Sequence, residues 1–339
     1  MASTPIIERG GDSPSAPPRG RRDAPRRSRG LSVRAIPYAL LAPGLLVIAV
    51  LLLYPLAQMV WMSFHEVGLR QVRARNPQPA EFTGWDNYRQ VTESELFWSS
   101  LRNTVLFALV AVVLTLVLGT LVGLLLHKLG RVMSTVVVVG IMAAWAVPPT
   151  SQAIIWKWLF DADSGVVNWT LNLLPDGLST ALSGRADWTG HPWLNDTPTI
   201  YLVLTVAVVW ASFPFIAVAV LAGLKSIPAE LYEAARVDGA GPVRTFASIT
   251  FPLLTPVFSV LVVLSIIWDF KVFTQLFLLA GGTNMPRDAF NLSLWSYIEA
   301  FSAPPDMGLG AAVAVVLTVI LLLITFVHVR QIVKSEDVR

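Results

Sequence analysis

The chain has 339 residues, of which 54% are hydrophobic and only 14% charged, against about 25% charged in an ordinary soluble domain. That balance excludes a pair of soluble domains and makes a membrane protein the default reading. With no cysteine, disulfides, cysteine-ligated zinc or iron–sulfur sites and thiol catalysis are excluded, and the formal net charge of +3 matters less than where the positive residues stand.

Residues 1–34 hold eight arginines (Arg9, Arg19, Arg21, Arg22, Arg26, Arg27, Arg29, Arg34) among Pro, Gly and Ser. With little to bury, they read as a disordered basic cytoplasmic tail. A cleaved signal peptide is the alternative, but the apolar stretch from Ile36 to Met62 far exceeds a short hydrophobic region and no small-residue cleavage site ends it.

Six stretches then carry the ~20 mostly apolar residues that a spanning helix needs to satisfy its own backbone. They are Pro37–Phe64, Leu101–Leu126, Val132–Trp158, Thr199–Leu224, Pro252–Ala280 and Met307–Val329. With the N-terminus inside, sixteen Lys and Arg residues fall on the cytoplasmic side and eight outside, while Lys271 lies within the fifth span. The positive-inside rule therefore places both termini in the cytoplasm, although the run "LRQVRAR" opposes it locally. The outer connections, 65–100, 159–198 and 281–306, are the longer ones, and their tryptophans read as anchors at the membrane interface. In the third span Pro148-Pro149 removes backbone donors and predicts a kink, with Gln152 one turn later as a polar group at depth. A kink lining a cavity and plain irregularity of packing fit equally.

The fourth connection, "PAELYEAARVDGAGPVRTF", sets charges and turn residues between two apolar spans. Pro228 suits a helix start with Ser226 as a cap ahead of it, and Ala229–Val237 are good helix formers. Asp238-Gly239 makes a turn, and Pro242 opens a second short helix through Thr245 and Phe246. Leu231, Ala234, Ala235 and Val237 beside Glu230, Glu233 and Arg236 suit docking into a groove of another protein; the alternative is a solvated loop.

Polar groups within a span face the bundle interior or a water-filled cavity. "SIIWDFKVF" is the clearest case: on a helix Ser265, Asp269 and Val272 share a face, with Trp268 beside them. An aromatic ring with hydrogen-bonding side chains is the chemistry that holds a sugar. The alternative is an ion pair of Asp269 with Lys271 or with another chain, although residues two apart on a helix do not face each other. No G-x-x-x-x-G-K-[ST] run exists to cradle a phosphate. His65, His127, His191 and His328 have no metal-ligand spacing, and no set of nucleophile, base and orienter suggests an enzyme.

"EAARVDGAGPVRTFASITFPLLTP", Glu233 to Pro256, resembles the signature of integral membrane subunits of binding-protein-dependent ABC importers, with Glu233, Ala234, Ala235, Gly239, Ile249 and Pro252 in place and Phe251 where leucine is usual. "FTGWDNYRQV", "LFWSSLRNTVLF", "WLFDADSGVVNW", "FKVFTQLFLLAGG", "LSLWSYIEAF" and "MGLGAAVAVVL" are similar, in order, to segments of the carbohydrate-importer branch. The resemblance implies an all-α membrane protein of six transmembrane helices, with a permease domain over 35–330, a cytoplasmic helix–turn–helix coupling segment at 226–250 and a short C-terminal tail at 331–339. It implies a location in the bacterial plasma membrane, and lipid around the spans. It assigns coupling to Glu233, Ala234, Ala235, Asp238 and Gly239, and a sugar path to Ser265, Trp268, Asp269, Val272, Ala211, Ser212 and Phe215. Asp269 and Val272 stand where the maltose permease has amides.

The partners it implies are a second, similar permease chain, two cytoplasmic ATPase subunits that carry the ATP and magnesium, and an extracytoplasmic sugar-binding protein. No cofactor on this chain and no nucleic acid is expected. Relative to the maltose permease, extra N-terminal spans and a large periplasmic domain are missing and residues 175–191 form a small added loop. The rival reading is a stand-alone ion-coupled transporter or channel with Asp269 as its ion site; such proteins usually carry internal repeats, and none is evident.

Overall fold

The computed structural model describes residues 36–72 and 78–336; the basic tail expected at 1–34 and the last three residues lie outside them. The chain divides into two units, 1–53 and 54–339. In the first, α1 (Ile36–Ile48) runs on into a single π turn, Ala49–Leu53.

The second unit begins with α2 (Tyr54–Ser63), a two-residue ribbon of β1 (His65–Glu66) and β2 (Glu81–Phe82) around α3 (Leu69–Val72), and α4 (Asp86–Glu93). The elements that follow are α5 (Glu95–Lys128), α6 (Arg131–Trp145), α7 (Pro149–Leu159), α8 (Val166–Leu171), α9 (Asp176–Ser183) and α10 (Thr197–Lys225). The chain closes with α11 (Ala229–Val237), α12 (Pro242–Thr245), α13 (Phe251–Phe270), α14 (Thr274–Leu279), α15 (Leu292–Phe301) and α16 (Met307–Glu336). Among the described residues five helices are long and apolar enough to cross a membrane: Leu40–Ser63, Glu95–Lys128, Thr197–Lys225, Pro242–Phe270 and Met307–Gln331. The α6–α7 pair makes a sixth, bent by 92°.

That bend sits where Pro148-Pro149 predicts it. Pro149 opens α7, and the Gln152 amide donates to the Val147 carbonyl at 2.7 Å, so the side chain satisfies a group that the broken ladder leaves free. Gln152 is buried and belongs to this repair.

α10 is the most deeply buried of the five, and it packs along α5. The approach is close because α5 carries Gly119 and Gly123 one turn apart: a Cβ on Gly119 would stand 2.5 Å from Cβ of Ile216, and one on Gly123 2.9 Å from the Ala217 carbonyl. Small residues at this spacing let two backbones meet where lipid offers no hydrophobic drive.

The segment before α15, and its first residue, are drawn against both helices by hydrogen bonds with side chains of α5 and α10. Asn103 donates to the carbonyls of Asp288 (2.7 Å) and Phe290 (3.0 Å), Tyr201 to that of Ala289 (3.2 Å), and the Leu292 amide to Thr104 Oγ1 (3.0 Å). These bonds satisfy backbone carbonyls and an amide that no regular helix or strand takes up.

Three expectations need correction. The fifth span does not continue to Ala280: α13 stops at Phe270, where the amides of Lys271 and Val272 turn back to Trp268 and Asp269 (3.2 Å each). Ser293 Oγ then donates to the Phe270 carbonyl (3.1 Å) and Asn291 Nδ2 to that of Val272 (2.7 Å), so side chains some twenty residues on absorb the carbonyls a longer helix would have used. Ser226 closes α10, its Oγ donating to the Gly223 carbonyl (2.7 Å), and does not cap α11. Trp188 and Trp193 are not interface anchors. Both are buried, they stack on each other at 5.2 Å, and their ring N–H groups donate to Ser179 (2.9 Å) and Asn168 (2.6 Å). Residues 175–191, expected as a small loop, contain α9 and Trp188, and pack with α8 through these rings. Trp85, Trp98, Trp158 and Trp169 do face outward.

Candidate functional site

Two places in the second unit collect the residues singled out in the sequence. The first is the helix–turn–helix between α10 and α13. α11 spans Ala229–Val237 as the helix formers predict, and it ends in a full Schellman motif. The Gly239 amide bonds to the Arg236 carbonyl (3.1 Å) and the Ala240 amide to that of Ala235 (2.9 Å), with Gly239 at φ 71°. Only a residue without Cβ adopts that angle freely. Pro242 then opens α12, and a π turn at Phe246–Thr250 joins it to α13. Pro252 cannot donate to the carbonyl four residues back, and the wider turn accommodates the missing bond.

α11 rests on the rest of the chain through Ala235, which is buried, and through the Tyr232 hydroxyl, 3.2 Å from Thr250 Oγ1. Glu233, Ala234, Asp238 and Gly239 are exposed, as are Leu231 (41%), Val237 (88%) and Val243 (82%). Of the five predicted coupling residues, four face outward and Ala235 faces its own bundle.

The second place lies between α6, α10 and α13. Trp268 meets Phe215 edge to face, ring centroids 5.3 Å apart, and Phe215 stacks on Trp145 at 6.2 Å. Trp268 is 37% exposed and Trp145 43%; Phe215 and Ser212 are half-buried. Ser265, Asp269, Val272 and Ala211 are instead buried. The predicted shared face of Ser265, Asp269 and Val272 is interrupted, because Val272 lies past the end of α13. Asp269 forms no ion pair with Lys271; among the described residues the one ion pair joins Arg89 and Asp86 (3.0 Å), both exposed. The Asp269 carboxylate also has no hydrogen-bond partner among the described residues.

Trp145 is the member that sequence reasoning missed. Its signal is its place in "AAWAVPP", an aromatic ring directly before the proline break, which leaves it at the turning point of α6 and α7. Among the described residues no group of three or more His, Asp or Glu side chains is placed to hold a metal ion.

Spanning helices around an aromatic cluster and a buried carboxylate, with an exposed helical hairpin between two spans, define a multi-pass membrane protein of the transport class. Residues 116–334 match the family of binding-protein-dependent transport system inner membrane components, and the chain belongs to it. The diacetylchitobiose uptake system permease protein DasB of Streptomyces coelicolor is 38% identical over 301 residues, covering 89% of this chain and 88% of that protein. The sulfoquinovosyl glycerol transport system permease protein SmoG of Agrobacterium fabrum is 32% identical over 316 residues, covering 92% and 96%. The fold is similar to that of a chain in the crystal structure of a bacterial alginate ABC transporter in complex with alginate pentasaccharide-bound periplasmic protein. Its TM-score is 0.69 at 19% identity, covering 87% of this chain and 93% of that one.

Proposed function

We propose that this chain is one of two permease subunits of an ATP-driven ABC importer and forms half of the transmembrane pathway for a di- or oligosaccharide. The observation that carries the reading is the α11–Gly239–α12 hairpin, which offers Leu231, Glu233, Ala234 and Val237 outward between two spanning helices in a chain of this family. The saccharide is supported by the names of the relatives, which give diacetylchitobiose and sulfoquinovosyl glycerol as their own cargoes.

The distribution of Lys and Arg supports a cytoplasmic location for both termini and the hairpin, where two ATPase subunits holding ATP and magnesium would receive it. A binding protein delivers the saccharide on the opposite side. Closure of the ATPases displaces the hairpin, and with it α10 and α13, so that the helices alternate between inward- and outward-open arrangements around a site near the membrane midplane. In that site Trp268 and Phe215 offer ring faces and edges to the apolar C–H surface of a sugar, while Asp269 and Ser265 supply hydrogen-bonding groups when the helices part. No covalent step takes place on this chain.

The test is reconstitution of the chain with its second permease, ATPase subunits and binding protein in vesicles, followed by uptake of labelled saccharides. Uptake that needs ATP hydrolysis supports the reading. Uptake by the purified chain alone, driven by a pH or sodium gradient, would replace it with the ion-coupled alternative.

A further inference from the structure

A cavity of about 470 Å3 opens in the second unit between α14, the turn that follows it and α15, and Trp268 is not among its lining residues. Its lining combines two chemistries. One is a run of aromatic rings: Phe277 meets Tyr297 at 5.5 Å and Phe301 continues the run from Tyr297 at 5.1 Å, with Phe273, outside the lining, packed against Phe277 (5.5 Å) and Tyr297 (4.7 Å) behind them. Phe301 is 66% exposed and Tyr297 36%, which is a large apolar area to leave open beside a polar wall.

The other is a set of unengaged donors. Arg287 lines the cavity and no acidic side chain does. The neighbouring Asp288 is held by the Thr197 hydroxyl at 2.6 Å, and among the described residues Arg287 has no ion pair. The hydroxyls of Thr283 and Ser302 also line it.

We propose that this cavity is a saccharide subsite at the mouth of the pathway. One pyranose ring lays its C–H face on Tyr297 and Phe301, and its hydroxyls accept hydrogen bonds from Arg287. A planar guanidinium with five fixed donors and an open aromatic face meet the two surfaces of a sugar ring. This rests on the saccharide reading above and adds a place of first contact to it. The subsite is tied mechanically to the deeper cluster, because Ser293 and Asn291 at the start of α15 hold the carbonyls of Phe270 and Val272 that end α13.

The chain has no cysteine, so Thr283→Cys places a single thiol of this chain in the cavity. In the full complex, the rate at which a small thiol reagent labels it is measured against diacetylchitobiose, maltose and, as a polyol without a ring face, glycerol. A disaccharide at twice its dissociation constant slows labelling about threefold, and Arg287→Ala or Phe301→Ala, both exposed positions, restores the free rate. No slowing with either disaccharide, equal slowing with glycerol, or slowing that survives both substitutions overturns the proposal. Uptake without protection removes the subsite and leaves the import reading standing. Protection without ATP-dependent uptake keeps the subsite and removes that reading.

Discussion

The Trp268 ring meets the Phe215 ring edge to face, with 5.3 Å between centroids and 68° between planes. One ring sits on α13 and the other on α10, so the pair senses any relative movement of the two helices that flank the α11–α12 hairpin. Trp268→Ala removes the stacking contribution of about 0.5–1.5 kcal/mol, which is roughly two- to tenfold in apparent saccharide affinity. Uptake kinetics in reconstituted vesicles are expected to show that loss, with Trp268→Phe closer to the wild type. Unchanged kinetics in Trp268→Ala would take the aromatic cluster out of the path.

Much of this architecture was legible because its signals are local. The start and end of α11, the turn at Gly239 and the break at Pro148-Pro149 each follow from two or three adjacent residues. What escaped the sequence depends on contacts made far along the chain. Nothing in "DFKVFTQLF" announces that α13 stops at Phe270, since the groups that take its carbonyls are Asn291 and Ser293. Trp188 and Trp193 look like interface tryptophans until Ser179 and Asn168 supply their ring partners. Trp145 was missed for the same reason, because its ring gains meaning from Phe215, seventy residues on.

The α5–α10 contact yields a packing prediction. A Cβ on Gly119 collides with Cβ of Ile216 at 2.5 Å, whereas a Cβ on Gly140 of α6 meets nothing within 4 Å. Overpacking of this kind costs about 1–3 kcal/mol. Gly119→Val is expected to lower the yield and the melting temperature of the purified protein, and Gly140→Val to leave both near the wild type. Similar melting temperatures for the two variants would show that α5 and α10 do not depend on close approach.

At the hairpin, Gly239 holds φ at 71° with open space around its Cα, so a side chain there is penalised by backbone strain and not by a clash. Strain of a β-branched residue in that region is about 1–3 kcal/mol, enough to displace a small exposed element without unfolding spans buried elsewhere. Gly239→Val and the charge reversal Glu233→Lys are both expected to keep membrane insertion while saccharide uptake falls relative to ATP hydrolysis. Wild-type ratios of uptake to hydrolysis in both variants would reduce the hairpin to a linker.

The α8–α9 element carries a pH dependence. His191 packs between Trp188 (5.2 Å) and Trp193 (4.6 Å), and its Nδ1 is buried with no hydrogen-bond partner among the described residues. Burial first, and Arg185 second, hold its pKa below the ordinary 6.5, against a smaller upward pull from Asp196. Because the folded pKa is the lower one, the unfolded element takes up the proton first as pH falls. The stability of the element is therefore complete above the ordinary value and declines below it. Hydrogen exchange over residues 166–193, corrected for intrinsic rates, is expected to accelerate between about pH 7 and pH 5, and His191→Phe, which keeps both ring contacts, to flatten the profile. An equal acceleration in His191→Phe would assign it to another group.

Asp269 is 3% exposed and sits one residue from the end of α13, with no ion pair among the described residues. Burying a carboxylate without a charged partner is costly, and a saccharide and a second permease chain are the two partners that would offset that cost. They separate by experiment because they fail differently. If Asp269 meets the saccharide, Asp269→Ala loses a hydrogen bond of about 1.5–3 kcal/mol when one partner is charged. Uptake and saccharide-stimulated hydrolysis then fall together in an intact complex, and Asp269→Asn, which keeps the shape and one acceptor oxygen, is the milder change. If Asp269 pairs with a cation on the second permease, Asp269→Ala and Asp269→Asn both remove the charge and leave the partner cation buried and unpaired. The two permeases then separate on a native gel to a similar degree in both variants. Retention of the complex with graded loss of uptake is the expected outcome; dissociation in both variants would move the saccharide path to the side of α10 that carries Ser212 and Phe215.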